Sequence, residues 1–208
     1  MSNIYYNSTV AKMCGKNGII KAVLLNYIYN YHKQNPRKGA GYPAKILLGE
    51  FVYQYAYEDK SVWKRSFIHK ILTDLCRDKH LSKTQDNGVP VYSVSSEVAD
   101  LLTDESTPLV CFELKTACEY GIHIAIMERY LKHIITKSPK GVAYNLNVED
   151  MAKINRLSPA QIYRAIKHLV DKKVLARVKM RSQYCSRALS LALYNPRRLE
   201  FLKGLYLK

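Results

Sequence analysis

Acidic side chains are scarce in this chain of 208 residues: 17 Asp and Glu stand against 33 Lys and Arg, a formal net charge of +16. Long apolar runs are missing too. The longest are interrupted by Lys21, by Glu128 and Arg129, and by Lys132, so no window approaches the ~20 apolar residues that a membrane-spanning helix needs. Cysteine is sparse: Cys14, Cys76, Cys111, Cys118 and Cys185 are odd in number, scattered and without a C-x-x-C spacing. That pattern excludes a disulfide scaffold and offers no zinc or redox motif, so the thiols are expected to be reduced and structural. The six histidines show no metal spacing, and there is no P-loop, no G-x-G-x-x-G, no G-x-S-x-G and no carboxylate pair arranged for catalysis. These absences predict a protein that is not an enzyme and holds no metal or cofactor. The first 17 residues lack the basic start, apolar core and cleavage site of a secretory signal, so a cytoplasmic location without a membrane partner is expected.

What is present is globular composition, 48% hydrophobic and 24% charged, well away from the compositions that stay disordered. The length fits one large domain or two of about 100 residues, and an internal repeat favours two. Gly18-Ile19-Ile20-Lys21-Ala22 through Tyr27 matches Gly121-Ile122-His123-Ile124-Ala125 through Tyr130 at an offset of 103, and Ile68 through Leu81 tracks Ile162 through Leu175 at an offset of 94. The difference is a longer loop in the first copy, around Pro36 to Pro43.

In the second copy a helix runs from about Gly121 to Thr136 and is broken at Ser138-Pro139-Lys140-Gly141. Asn147, followed by Glu149 and Asp150, caps a short helix reaching about Asn155. Ser158-Pro159-Ala160-Gln161 is then a capping box with proline at the first helical position. The helix it opens buries Ile162, Ala165, Ile166, Leu169 and Val170 at helical spacing and turns Ala160, Gln161, Arg164, Lys167 and His168 the other way. Next the period becomes two: Ala176, Val178 and Met180 alternate with Arg177, Lys179 and Arg181, a turn spans Ser182 to Arg187, and Leu189, Leu191 and Leu193 form the returning strand of a two-stranded hairpin with a basic face.

The first copy follows the same order. A helix from about Gly18 to Lys33 leads to a Tyr-rich segment, Leu47 to Tyr57, and then to a helix from about Ser61 to Lys79. That helix has Ile68, Ile71, Leu72, Leu75 and Cys76 inside and Ser66, Lys70, Thr73 and Arg77 outside. A hairpin of Leu81 to Thr84 and Val89 to Val94 turns at Asp86-Asn87-Gly88, with Pro90 expected on an edge strand. The tyrosines at 27, 29, 31, 53, 55 and 57 are read as packing residues rather than base-stacking ones. Between the copies, Glu97 to Glu119 holds six acids and one base and reads as a connector, with the boundary near Thr103 to Leu109.

The charge excess is concentrated. From Lys153 to Arg187 there are ten bases and one acid; from Lys60 to Lys83 there are seven bases and two acids. A basic helix face is ordinarily only a solvated surface, but a basic helix followed by a basic hairpin, twice in one chain, suits duplex DNA, whose phosphates bind such cations by counterion release. The candidate DNA-contacting residues are Lys64, Ser66, Lys70, Thr73, Arg77 and Lys83 in the first copy. In the second they are Gln161, Arg164, Lys167, His168, Arg177, Lys179, Arg181 and Arg187.

Helix, short helix, turn, capped helix and hairpin is the order of a winged helix. With Val148-Glu149-Asp150-Met151-Ala152 through Leu157-Ser158-Pro159 and Ile162 through Leu169 in the second copy, and Trp63 through Leu75 with Tyr92-Ser93-Val94 in the first, the chain resembles the tandem winged-helix replication initiators of plasmids and phages. It is also similar to the N-terminal domains of phage replisome organisers. The resemblance covers most of the chain and is architectural. It implies a mainly α fold with small β-hairpin wings, built as two winged-helix domains over 1–103 and 104–208. It further implies sequence-specific binding of double-stranded DNA in replication initiation or transcriptional regulation and a nucleoid-associated location. A homodimer, and a replication or transcription protein, are the other partners implied. An alternative from a different class is a protein-interaction adaptor or inhibitor built from tandem winged helices.

Overall fold

In the computed structural model, which describes residues 3–34, 42–57, 60–86, 88–178 and 189–196, helices dominate and the strands are short and antiparallel, an α+β arrangement. Among the described residues no helix is long and apolar enough to cross a membrane. The chain divides into two compact units, residues 1–119 and 120–208.

The first unit runs β1 (Asn3–Asn7), α1 (Ser8–Met13), α2 (Gly18–Gln34), β2 (Tyr42–Pro43), α3 (Ala44–Gln54), β3 (Ala56–Tyr57), β4 (Lys60–Ser61), α4 (Arg65–Arg77), β5 (Leu81–Asp86), β6 (Val89–Val94), α5 (Ser96–Thr103), β7 (Leu109–Glu113) and α6 (Leu114–Tyr120), whose last residue belongs to the second unit. The second unit continues with α7 (Ile122–Lys137), a 3₁₀ turn at Pro139–Gly141, β8 (Val142–Leu146), α8 (Val148–Asn155), α9 (Pro159–Asp171), β9 (Leu175–Arg177) and β10 (Leu189–Leu193).

Apart from the β3–β4 ribbon inserted between α3 and α4, the order helix, strand, helix, helix, strand, strand occurs in both units, as α2–β2–α3–α4–β5–β6 and as α7–β8–α8–α9–β9–β10. The strands are ordered alike: β2-β6-β5 in one sheet and β8-β10-β9 in the other, with the last strand in the middle. The repeat holds residue by residue over the fourth element of each set. Shifting α4 by 94 positions superimposes its limits on those of α9, and Ile68, Ile71, Leu72 and Leu75 are buried where Ile162, Ala165, Ile166 and Leu169 are buried. Each of the leucine and isoleucine side chains contributes about 1.5–3 kcal/mol when fully buried. Both helices end in the same C-terminal motif. Lys79 and Lys173 take φ of 60° and 57°; their N–H groups donate to the carbonyls of Cys76 and Val170, and the next residues, His80 and Val174, donate back to Leu75 and Leu169, the paired bonds of a Schellman turn. Ser95 and Tyr194 then close the two hairpins by donating to the carbonyls of His80 and Val174.

Both hairpins are parts of three-stranded sheets, because the short strand after the first helix of each set pairs with the last. β10 lies between β8 and β9, so Ser190, Leu191 and Ala192 are all buried instead of alternating in and out; Tyr144 and Val178 cover a small cluster of Val142 and Ala192. β6 is likewise central rather than an edge. Pro90 is tolerated there because β2 stops short of it, pairing only Tyr42 with Tyr92 and Pro43 with Val91.

The segment expected to be a connector is folded structure of the first unit, and the boundary expected after Thr103 lies inside that unit. β7 pairs with β1 along its whole length, Asn3 opposite Glu113 and Asn7 opposite Leu109. The buried Asn7 caps α1 by accepting from Thr9 and Val10 at 2.9 and 3.0 Å, while its amide donates to the Leu101 carbonyl at 2.8 Å and to the Thr107 hydroxyl at 2.6 Å. The acids lie mostly on exposed positions of these elements. The aligned glycines of the repeat have different reasons. A Cβ at Gly18 would lie 1.9 Å from the Ala11 carbonyl oxygen, whereas Gly121 starts α7 with φ +95°.

Of the tyrosines read as packing residues, Tyr27 and Tyr55 join Phe51 and Trp63 in a cluster with ring centroids 4.6–6.0 Å apart. Tyr53 points away, 85% exposed. The four described cysteines are unpaired.

Candidate nucleic-acid interface

The two helices α4 and α9 present their outer faces at equivalent positions. Lys70 and Arg164 correspond under the 94-residue shift, as do Thr73 and Lys167, and all four are exposed. The correspondence extends into the hairpins, where Lys83 on β5 and Arg177 on β9 are equivalent and exposed. Lys83 is paired across the sheet with Tyr92, and its ammonium lies 5.9 Å from the centre of that ring. Among the described residues, Lys70, Arg164 and Lys167 form no ion pair with an acid, so their charge is turned to solvent. Thr73 donates its hydroxyl to the His69 carbonyl at 3.1 Å.

The N-terminal ends of the two helices differ. Lys64 caps α4 without a side-chain hydrogen bond; with Ser66 and Lys70 it lines a shallow hollow of about 500 Å³ whose other walls are Val62, Trp63 and Phe67. At α9 the capping box forms as expected: the Gln161 backbone N–H donates to the Ser158 hydroxyl at 3.3 Å, and Ser158 N–H donates to the side-chain Oε1 of Gln161 at 2.8 Å. The Gln161 amide nitrogen then lies 2.7 Å from Nε2 of His123 on α7. Desolvation against the helix and the nearby Arg164 guanidinium hold the His123 imidazole below its usual range, which favours the neutral ring that accepts from Gln161. Both ends of the Gln161 amide are therefore engaged inside the unit.

Two other candidates are also engaged. The Arg77 guanidinium pairs with Asp74 at 3.1 Å and with Asp78 at 3.3 Å. Asp78 in turn accepts from Lys21 at 2.9 Å, a lysine 4% exposed that also donates to the Cys14 carbonyl. The Lys21 hydrogen bond holds the Asp78 carboxyl below the ordinary carboxylate range. His168 is half-buried, its ring 4.9 Å from that of Tyr120 and its Nε2 buried without a partner. It lies at the edge of the outer face, against its own unit. Lys179, Arg181 and Arg187 lie outside the described residues.

Sequence reasoning missed His123 and Tyr163. Tyr163 is 57% exposed on α9 beside Arg164, at the position equivalent to the exposed His69 of α4. An aromatic residue off the apolar stripe was the available signal. Among the described residues no group of three or more His, Cys, Asp or Glu is arranged to hold a metal. The sequence matches no protein-family model and no curated protein.

Proposed function

We propose that the chain is a double-stranded DNA-binding protein in which each unit is a winged helix. Each unit lays its second paired helix, α4 or α9, in a major groove and its hairpin along the backbone. The element order and the last-strand-central sheets fit that architecture. The observation that carries the reading is the recurrence of exposed polar and cationic side chains at three equivalent places: Lys70 with Arg164, Thr73 with Lys167, and Lys83 with Arg177. A core needs only the buried stripe to repeat, so an outward repeat of this kind points to a shared ligand surface. Arg164 suits a guanine edge, while Lys83 and Arg177 suit phosphates. Replication initiation or transcriptional regulation of a plasmid or phage, with a homodimer on repeated sites, rests on the resemblance in architecture.

The test is retention of a random duplex library by the whole chain across a salt series. Six or more phosphate contacts would lower the affinity roughly 10³-fold or more between 50 and 200 mM salt. Retention indifferent to salt, or no retention at all, overturns the reading.

A further inference from the structure

The two outer helix faces share a backbone but differ in what they show. α9 turns Ala160 and Tyr163 to solvent, three residues apart and so on one face, with Arg164 adjacent. Tyr163 is 57% exposed and makes no hydrogen bond or ring contact among the described residues. At the equivalent places on α4 stand Ser66 and His69, also exposed and both polar. An exposed methyl beside an exposed phenol ring, flanked by a guanidinium, is matched in the major groove by one apolar group: the C5-methyl of thymine is the only such feature that the base pairs present there, and the guanidinium fits O6 and N7 of guanine.

We infer that the second unit reads thymine methyl groups next to a guanine through Ala160 and Tyr163, while the first unit reads its half-site through polar groups, so that the target duplex has two unlike half-sites. The inference rests on the duplex-binding reading above. It assigns Tyr163 to base recognition through its ring. A phosphate contact would instead use its hydroxyl, and the two are separable.

The experiment takes the duplex pool enriched by the whole chain and resynthesises it with dUTP in place of dTTP, which removes the C5-methyl and leaves every hydrogen-bonding group intact. Binding of the uracil pool is expected to fall about fourfold for each methyl contacted. Tyr163→Phe should keep the full thymine-to-uracil ratio, and Tyr163→Ala should bring it close to that of a single remaining contact. His69→Ala should leave it unchanged. Tyr163 is exposed, so circular dichroism of the variants should match the parent chain. Equal binding of both pools by the parent chain overturns the inference while duplex binding stands, and so does a Tyr163→Phe variant that loses the difference. Failure to retain either pool takes down both readings.

Discussion

Arg77 and Arg164 both belong to the outer side of the second paired helix, yet their surroundings set them different tasks. Arg77 is shared between Asp74 and Asp78, so its charge is largely compensated at the end of α4, whereas Arg164 forms no ion pair with an acid among the described residues. On the duplex-binding reading, Arg164→Ala is expected to weaken binding of the enriched pool about 5- to 150-fold, corresponding to ~1–3 kcal/mol. Arg77→Ala should cost less than about threefold, because an exposed ion pair of this kind holds little energy to lose. Fluorescence anisotropy at one fixed salt concentration compares them, and equal losses would contradict the assignment of roles. At this scale the sequence was half legible. The Ser158–Gln161 capping box could be read directly, but the same reading left Gln161 on the contact face, and one amide cannot fully serve both ends. His168 was misplaced for a related reason: a helical wheel locates a side chain by angle, and nothing in the local sequence tells that Tyr120 is folded against it.

Among the elements, α4 and α9 were the most legible because each carries its own evidence, an apolar stripe of period 3.6 and a charged opposite face. Their ends were equally local. The shared positive φ of Lys79 and Lys173 is a requirement of the Schellman turn, and a residue with a Cβ pays about 1 kcal/mol there that glycine does not. Lys79→Gly and Lys173→Gly are each expected to raise stability by about 0.5–1 kcal/mol, read as a higher urea midpoint at unchanged slope. Similar gains at both sites would mark the repeat as one of backbone geometry as well as of sequence; a lowered midpoint at either would refute the turn assignment. The third strands escaped sequence reading because β2 has two residues and β8 lies in a stretch, Val142–Leu146, that follows a breaker and precedes a cap. Their existence depends on β6 and β10, which lie far along the chain, and short strands without a regular alternation leave no periodic trace.

At the scale of the whole molecule the charge map located two basic stretches but not the fold of the acidic segment between them, which belongs to the first compact unit. Six acids against one base between Glu97 and Glu119 looked like a solvated connector, but the pairing that fixes this segment joins residues about a hundred positions apart, which no local pattern reports. Phe112 and Tyr6 lie on the same face of the β1–β7 ribbon, both fully buried, with ring centroids 6.3 Å apart. Ser8 N–H donates to the Pro108 carbonyl at 3.0 Å, so the start of α1 is also held by the later segment. A fragment of residues 1–119 is therefore expected to unfold in one cooperative thermal transition. A fragment of 1–103 loses Phe112, Leu114 and Ala117 from the core together with β7, the strand that pairs with β1. Removing one buried phenylalanine side chain alone costs about 3–5 kcal/mol, a large share of the ~5–15 kcal/mol that holds a domain together, so 1–103 should melt well below 1–119 or show no cooperative transition. Conversely, residues 120–208 should melt at the same temperature as 104–208, because nothing between 104 and 119 belongs to the second unit's core. Calorimetry of the four fragments decides the matter. Equal midpoints for 1–103 and 1–119 would return the boundary to Thr103 and reduce the β1–β7 ribbon to an accessory.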